Sequence, residues 1–127
     1  MSQALYHEGR TLMDAGNLEQ AVQRLKESVE VAPHFKTLEL LGECLLKLRR
    51  PQEAIVPLAA ATTLNNQVRA PSLLAQAFLE CGEFLDAGEF ASRVLEKAPG
   101  NRVARSIMEV PAVKSALARH AGDESTA

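Results

Sequence analysis

The chain has 127 residues, a length that fits one domain with a shared core, and its formal net charge is −2. Binding of nucleic acid needs a concentrated basic face, so we expect no nucleic-acid partner. Hydrophobic residues make up 46% of the chain but aromatic residues only 4%. A composition of this kind, dominated by small and aliphatic side chains, favours helices packed on helices.

Apolar residues follow the period of a helix from the first segment onwards. Leu5, Gly9 and Leu12 share one face, a second segment begins at Leu18, and Pro33 is expected to end it. The same pattern along the chain predicts six helices, near residues 3–15, 18–31, 35–48, 51–64, 69–81 and 84–97.

The carboxyl-terminal part differs from these six segments. A seventh segment covers residues 102–119 and is interrupted by Pro111, which predicts two short helices. Val103, Ile107, Val110 and Leu117 are its expected buried side. The tail 120–127 has little to bury, and we expect it to be disordered.

The helical segments repeat with a spacing of 33 residues. Two columns of small residues carry the signal: Gly9, Gly42 and Ala75, and then Ala21, Ala54 and Ala87. Small side chains at such positions allow two helices to cross closely. Gly16 and Gly82, with Arg49 between them, occupy the turn within each copy, where a left-handed backbone ends a helix.

These columns resemble those of the tetratricopeptide repeat family over about residues 2–99. The family's small residue, turn glycine, small residue in the second helix and closing proline correspond to Gly9, Gly16, Ala21 and Pro33. The resemblance implies an all-α solenoid of three helix–turn–helix repeats with a carboxyl-terminal capping segment, wound into a right-handed superhelix. The spacing of 33 residues is slightly shorter than the family's usual length of about 34.

The resemblance also implies the organisation of the chain into a single domain over residues 1–119. We expect the repeats at about 2–34, 35–67 and 68–100 and the cap at 101–119.

No arrangement of reactive side chains indicates an enzyme. His7, His34 and His120 are far apart in the sequence, and Cys44 has no fixed histidine partner. We therefore expect no catalytic residues, no cofactor and no metal. The two cysteines stand alone, which is typical of a reduced, cytoplasmic protein, and no apolar run is long enough for membrane insertion.

The first helices of such repeats line a concave groove, and the resemblance gives the positions that face it. Lys36, Arg69 and Arg102 form a cationic ladder along one rim, while Tyr6, Met13, Leu46 and Leu79 offer an apolar floor. The alternative is that the three cations are ordinary solvated charges. The full set of expected groove residues is Tyr6, Arg10, Met13, Lys36, Glu39, Glu43, Leu46, Arg69, Gln76, Leu79, Arg102 and Arg105.

Some members of the family hold the acidic carboxyl termini of large heat-shock chaperones in a clamp of lysine, arginine and asparagine side chains. The corresponding places here are Tyr6, Arg10, Leu40, Arg69 and Leu73. Only Arg69 keeps the clamp chemistry, so we do not expect binding of that kind.

These features predict a protein-binding adaptor or chaperone. Its groove would hold a peptide or helix of a partner protein that carries apolar anchors and acidic residues. The alternative is a structural scaffold that self-associates into a homo-oligomer through its groove or its cap.

Overall fold

The computed structural model describes the backbone of residues 2–126 and the side chains of residues 3–123. Within this range the chain forms helices and no strands, which confirms the predicted all-α repeat fold. The helices are α1 (Ser2–Asp14), α2 (Leu18–Val31), α3 (Phe35–Lys47), α4 (Pro51–Leu64), α5 (Arg69–Glu80), α6 (Phe84–Lys97), α7 (Arg102–Met108) and α8 (Pro111–Thr126).

The helices pack in chain order. Each of α1 to α5 contacts the helix that follows it, and the first helices α1, α3 and α5 also contact one another in sequence. This second set of contacts places α1, α3 and α5 side by side in one row. The candidate functional site lies on the surface of this row.

Small residues allow the paired helices to approach closely. A Cβ atom added at Gly9 would lie 2.7 Å from Cγ of Leu25, and one added at Gly42 would overlap Cγ and Cδ2 of Leu58. Side chains at these two positions would push α1 from α2 and α3 from α4. The second column of small residues is fully buried, at Ala21, Ala54 and Ala87.

The three turns within the helix pairs share one backbone conformation. Gly16 and Gly82 have φ values of 85° and 78°, and Arg49 has a φ value of 62°. A side chain makes this left-handed conformation unfavourable, so the middle turn carries strain that its two glycine counterparts avoid.

The carboxyl-terminal helices cover the last repeat. Both α7 and α8 pack on α6, where Ile107 and Val113 are completely enclosed. Gly88 in α6 leaves room for α8, since a Cβ atom there would lie 2.9 Å from Leu117 and from Val113. Val103 was expected on the buried side but is 36% exposed, because the face of α7 that packs on the last repeat is the one that carries Ala104 and Ile107.

The expectation of a disordered tail is wrong for residues 120–126. Helix α8 runs from Pro111 to Thr126 and does not end near residue 119. Extending an existing helix fixes only one residue for each new hydrogen bond, and the sequence offers no proline to stop it. Burial is therefore not needed for these residues to be helical, and Ala127 lies outside the described range.

Candidate functional site

A cavity of about 380 Å³ opens on the row formed by α1, α3 and α5. Gln67, in the turn before α5, and Arg69, the first residue of α5, close one side of it. We call this cavity the groove. Its lining residues are Tyr6, Arg10, Met13, Asp14, Phe35, Lys36, Glu39, Leu40, Glu43, Lys47, Gln67 and Arg69.

The groove brings together all the expected residues of the first two repeats except Leu46, and one of the third repeat. These are Tyr6, Arg10, Met13, Lys36, Glu39, Glu43 and Arg69. The expected residues that do not line it are Leu46, Gln76, Leu79, Arg102 and Arg105.

Each of the residues outside the groove has a different environment. Leu46 and Leu79 pack against buried hydrophobic clusters, and the Gln76 side-chain amide donates a hydrogen bond of 3.2 Å to Glu80. Arg102 and Arg105 are exposed on α7. The apolar floor is consequently smaller than the sequence suggested.

The apolar surface of the groove comes mainly from aromatic side chains. Tyr6 and Phe35 are half-buried, whereas Met13 and Leu40 are only 8% and 7% exposed and belong largely to the core. Phe35 stacks on His34 with ring centroids 4.8 Å apart. Five lining residues are outside the expected set, although each lies within two residues of a member of it: Asp14, Phe35, Leu40, Lys47 and Gln67.

Opposite charges are nearly balanced around the groove. Its cationic side chains are Arg10, Lys36, Lys47 and Arg69, and its acidic side chains are Asp14, Glu39 and Glu43. The Arg69 guanidinium group is ion-paired with the Glu43 carboxylate. The predicted cationic ladder is therefore interrupted at its middle member, and Arg10 and Lys47 add positive charge that the ladder did not include.

Glu39 is the most unusual group in the groove. The residue is only 6% exposed, and its Oε1 atom is buried without a hydrogen bond to any of the described residues. Burial raises the pKa of its carboxyl group, while the nearby charges of Arg69 and Lys36 act in the opposite direction. A buried acceptor without a donor is costly, so this atom needs an explanation.

A second cavity of about 480 Å³ adjoins the groove beside the turn between α2 and α3. Tyr6 and Lys36 line both cavities, so they form a continuous surface past the amino-terminal end of α3. At this end the His34 side chain accepts a hydrogen bond of 3.1 Å from the Lys36 backbone N–H.

Among the described side chains of residues 3–123 there is no cluster of three or more His, Cys, Asp or Glu suited to a metal ion. None of the helices in the described part of the chain has the length and apolar character to cross a membrane.

Comparisons with known proteins agree with this architecture. The family model described as "Tetratricopeptide repeat" matches residues 6–68. No curated protein matches the chain in sequence.

Solved structures share the fold at low sequence identity. The first TPR of Spaghetti (RPAP3), bound to the HSP90 peptide SRMEEVD, has a TM-score of 0.81 and 21% identity, with 92% of this chain and 93% of that chain covered. The first TPR domain of human RPAP3 has a TM-score of 0.78 and 21% identity, with 94% of each chain covered. YrrB, a TPR protein with an unusual peptide-binding site, has a TM-score of 0.79 and 21% identity, covering 91% of this chain and 61% of that one.

Proposed function

This chain belongs to the tetratricopeptide repeat family, and we propose that it is a non-catalytic adaptor or chaperone whose groove holds a segment of another protein. The observation that carries the proposal is the groove itself, an open cavity of about 380 Å³ where charged and aromatic side chains of three helices converge. A reducing compartment such as the cytoplasm fits the free thiols of Cys44 and Cys81.

Peptide binding by proteins of this fold supports the proposal. The first TPR of Spaghetti is bound to the HSP90 peptide SRMEEVD, and the second TPR domain of human RPAP3 is in complex with the HSP70 peptide SGPTIEEVD. Leu40 and Leu73 stand at two of the clamp positions discussed above, and both pack against the core. We therefore propose a guest segment other than these chaperone peptides.

The charges and rings of the groove define the chemistry of that segment. Arg10, Lys36 and Lys47 are exposed cations that can bind carboxylates, and Tyr6 and Phe35 offer faces to an apolar side chain. An exposed ion pair contributes about 0.2–1 kcal/mol and weakens as salt rises. A guest with both acidic and apolar side chains would thus bind moderately, and with a marked dependence on salt.

Selection of short peptides from a random display library on the full chain tests the proposal. The selected peptides should be enriched in Asp, Glu and apolar residues. Their affinity should fall about tenfold or more in the Arg10→Glu/Lys36→Glu double variant, since two attractive contacts become repulsive. The matched control is Lys26→Glu, which reverses an exposed charge on α2 outside the groove.

Equal affinity of the selected peptides for the wild type, the double variant and the control would show that the peptides bind outside the groove. Light scattering over a range of protein concentrations addresses the alternative of self-association, because only an oligomer gains mass as concentration rises. If the mass rises with concentration and the Arg10→Glu/Lys36→Glu variant abolishes this rise, the groove is a self-association interface. The protein would then be a self-associating scaffold and not an adaptor.

A further inference from the structure

The buried carboxylate of Glu39 is a hydrogen-bond acceptor whose partner is missing from the fold. Its Oε1 atom is enclosed and makes no hydrogen bond within the described residues, although the side chain lines the groove. A buried charged acceptor left unpaired destabilises the folded state. A group that is kept in this state at the floor of a cavity is arranged for a donor from outside.

The neighbouring cations do not supply that donor. Arg69 uses its guanidinium group to pair with Glu43, and Lys36 is an exposed side chain that influences Glu39 only through its charge. Both cations stabilise the carboxylate at a distance and leave its lone pairs unused. The described residues thus supply no donor to this atom, and a guest bound in the groove can bring one.

We propose that the guest segment donates an uncharged amide N–H to the Glu39 carboxylate, and this inference rests on the proposed function of the groove. A lysine or arginine of the guest would meet the positive charges of Lys36 and Arg69 that already face Glu39, together with those of Arg10 and Lys47. An amide N–H satisfies the acceptor without adding charge. The guest's own carboxylates remain available for the exposed cations.

The position of Glu39 agrees with a guest whose amide binds Glu39 while its carboxylates bind the exposed cations. It lies in α3 between Lys36, which lines both cavities, and Glu43, which holds Arg69. The rotation of a glutamate carboxyl group about its last bond is broad and roughly two-fold, so either oxygen can be turned towards the cavity. A guest lying across α3 would pass directly over this side chain.

The test uses the strongest peptide selected from the random library on the full chain. Each amide of that peptide is removed in turn, main-chain N–H groups by N-methylation and Asn or Gln side chains by replacement with Ala. Affinity is measured by fluorescence anisotropy for the wild type, Glu39→Leu and Glu39→Gln. Urea unfolding of each variant confirms that it is folded.

One amide should matter far more than the others. Its removal should weaken binding to the wild type about tenfold or more, as expected for a hydrogen bond to a charged group. Glu39→Leu should bind the parent peptide more weakly and should not distinguish it from the modified one. Glu39→Gln should keep part of the distinction, because its side-chain oxygen still accepts a hydrogen bond.

Two outcomes would overturn the inference while leaving the groove function intact. In the first, every amide removal has the same effect on the wild type and on Glu39→Leu. In the second, a lysine or arginine of the peptide, and no amide, is the group coupled to Glu39. A library that yields no peptide sensitive to Arg10→Glu/Lys36→Glu overturns the proposed function, and this inference with it.

Discussion

Replacement of Gly42 by alanine should destabilise the fold although alanine is the better helix former. The added methyl group would overlap Cγ and Cδ2 of Leu58 and lie 3.0 Å from its Cδ1. Leu58 is fully buried, so its displacement would disturb the close packing around it. Overpacking of this kind costs about 3 kcal/mol at the upper end of its usual range, and the helix propensity of alanine offsets about 1 kcal/mol. We expect a net loss of about 2 kcal/mol in the free energy of unfolding.

In the third repeat the same contact has a larger residue on the first helix and a smaller residue on the second. Gly42 precedes Leu58 by 16 residues, and at the same spacing the third repeat has Ala75 and Ala91, both fully buried in one cluster. Leu58→Ala alone should cost about 2–5 kcal/mol through the cavity that it leaves. In the double variant Gly42→Ala/Leu58→Ala the new methyl group enters that space. The double variant should therefore be more stable than the sum of the single changes by about 2 kcal/mol.

Urea denaturation followed by far-UV circular dichroism measures the four free energies of this cycle. Gly100→Ala is a suitable control, since a Cβ atom there has no neighbour within 4 Å and its effect should not depend on Leu58. Additive costs for the two single changes, within about 0.5 kcal/mol, would refute the close-crossing argument. A harmless Gly42→Ala would do the same.

Three further changes test the turn, the cap and the buried carboxylate by the same denaturation assay. Arg49→Gly should raise stability by about 0.5–1 kcal/mol, because glycine adopts the left-handed conformation of this turn without strain. Ile107→Ala should lower stability by about 2–5 kcal/mol, whereas Val103→Ala, at an exposed position of the same helix, should have little effect. Since burial raises the folded pKa of Glu39 above 4.5, the folded state binds its proton more tightly than the unfolded state. Its contribution to stability therefore falls as pH rises from about 4.5 through the raised pKa, and Glu39→Gln should gain stability over the wild type at pH 7 but not at pH 4.

Each of these expectations has a clear contrary result. A destabilising Arg49→Gly would mean that the arginine side chain contributes more than the backbone strain costs. Equal effects of Ile107→Ala and Val103→Ala would show that α7 does not cover α6 as the structure indicates. A stability difference for Glu39→Gln that does not change with pH would separate its effect from the ionisation of the carboxyl group.

The boundaries of the helices could be predicted where apolar residues follow a clear helical period and a proline or a turn residue interrupts it. The second and fourth helices were expected at residues 18–31 and 51–64, and they occupy Leu18–Val31 and Pro51–Leu64. The turns at Gly16 and Arg49 set where these two helices begin, and Pro33 sets where the second helix ends. No knowledge of the neighbouring helices was needed for these limits. The end of α8 could not be predicted in this way, because helix continuation past residue 119 depends on propagation and not on burial.

The groove was harder to predict than the fold because a helical face is not the same as an exposed surface. Periodicity places Leu46 and Leu79 on the inner face of their helices, but both pack against hydrophobic clusters when the helices stack. Glu39 shows the opposite effect. A carboxylate on an inner face is expected to be solvated, yet this one is buried once α5 packs beside α3.

The pairing of charges across the groove determines what the cationic ladder can contribute to binding. Sequence spacing puts Lys36 and Arg69 at equivalent positions of successive repeats, which suggests equal roles. In the fold Arg69 is paired with Glu43, so a guest carboxylate must compete there with a carboxylate that is already in place. Lys36 is exposed between the two cavities, and Glu39, the carboxylate whose charge acts on it, is buried and forms no ion pair with it within the described residues. For the acidic guest that we propose, the exposed cations of the groove outside this ion pair are therefore Arg10, Lys36 and Lys47, and Lys36 is the one that acts on the buried carboxylate of Glu39.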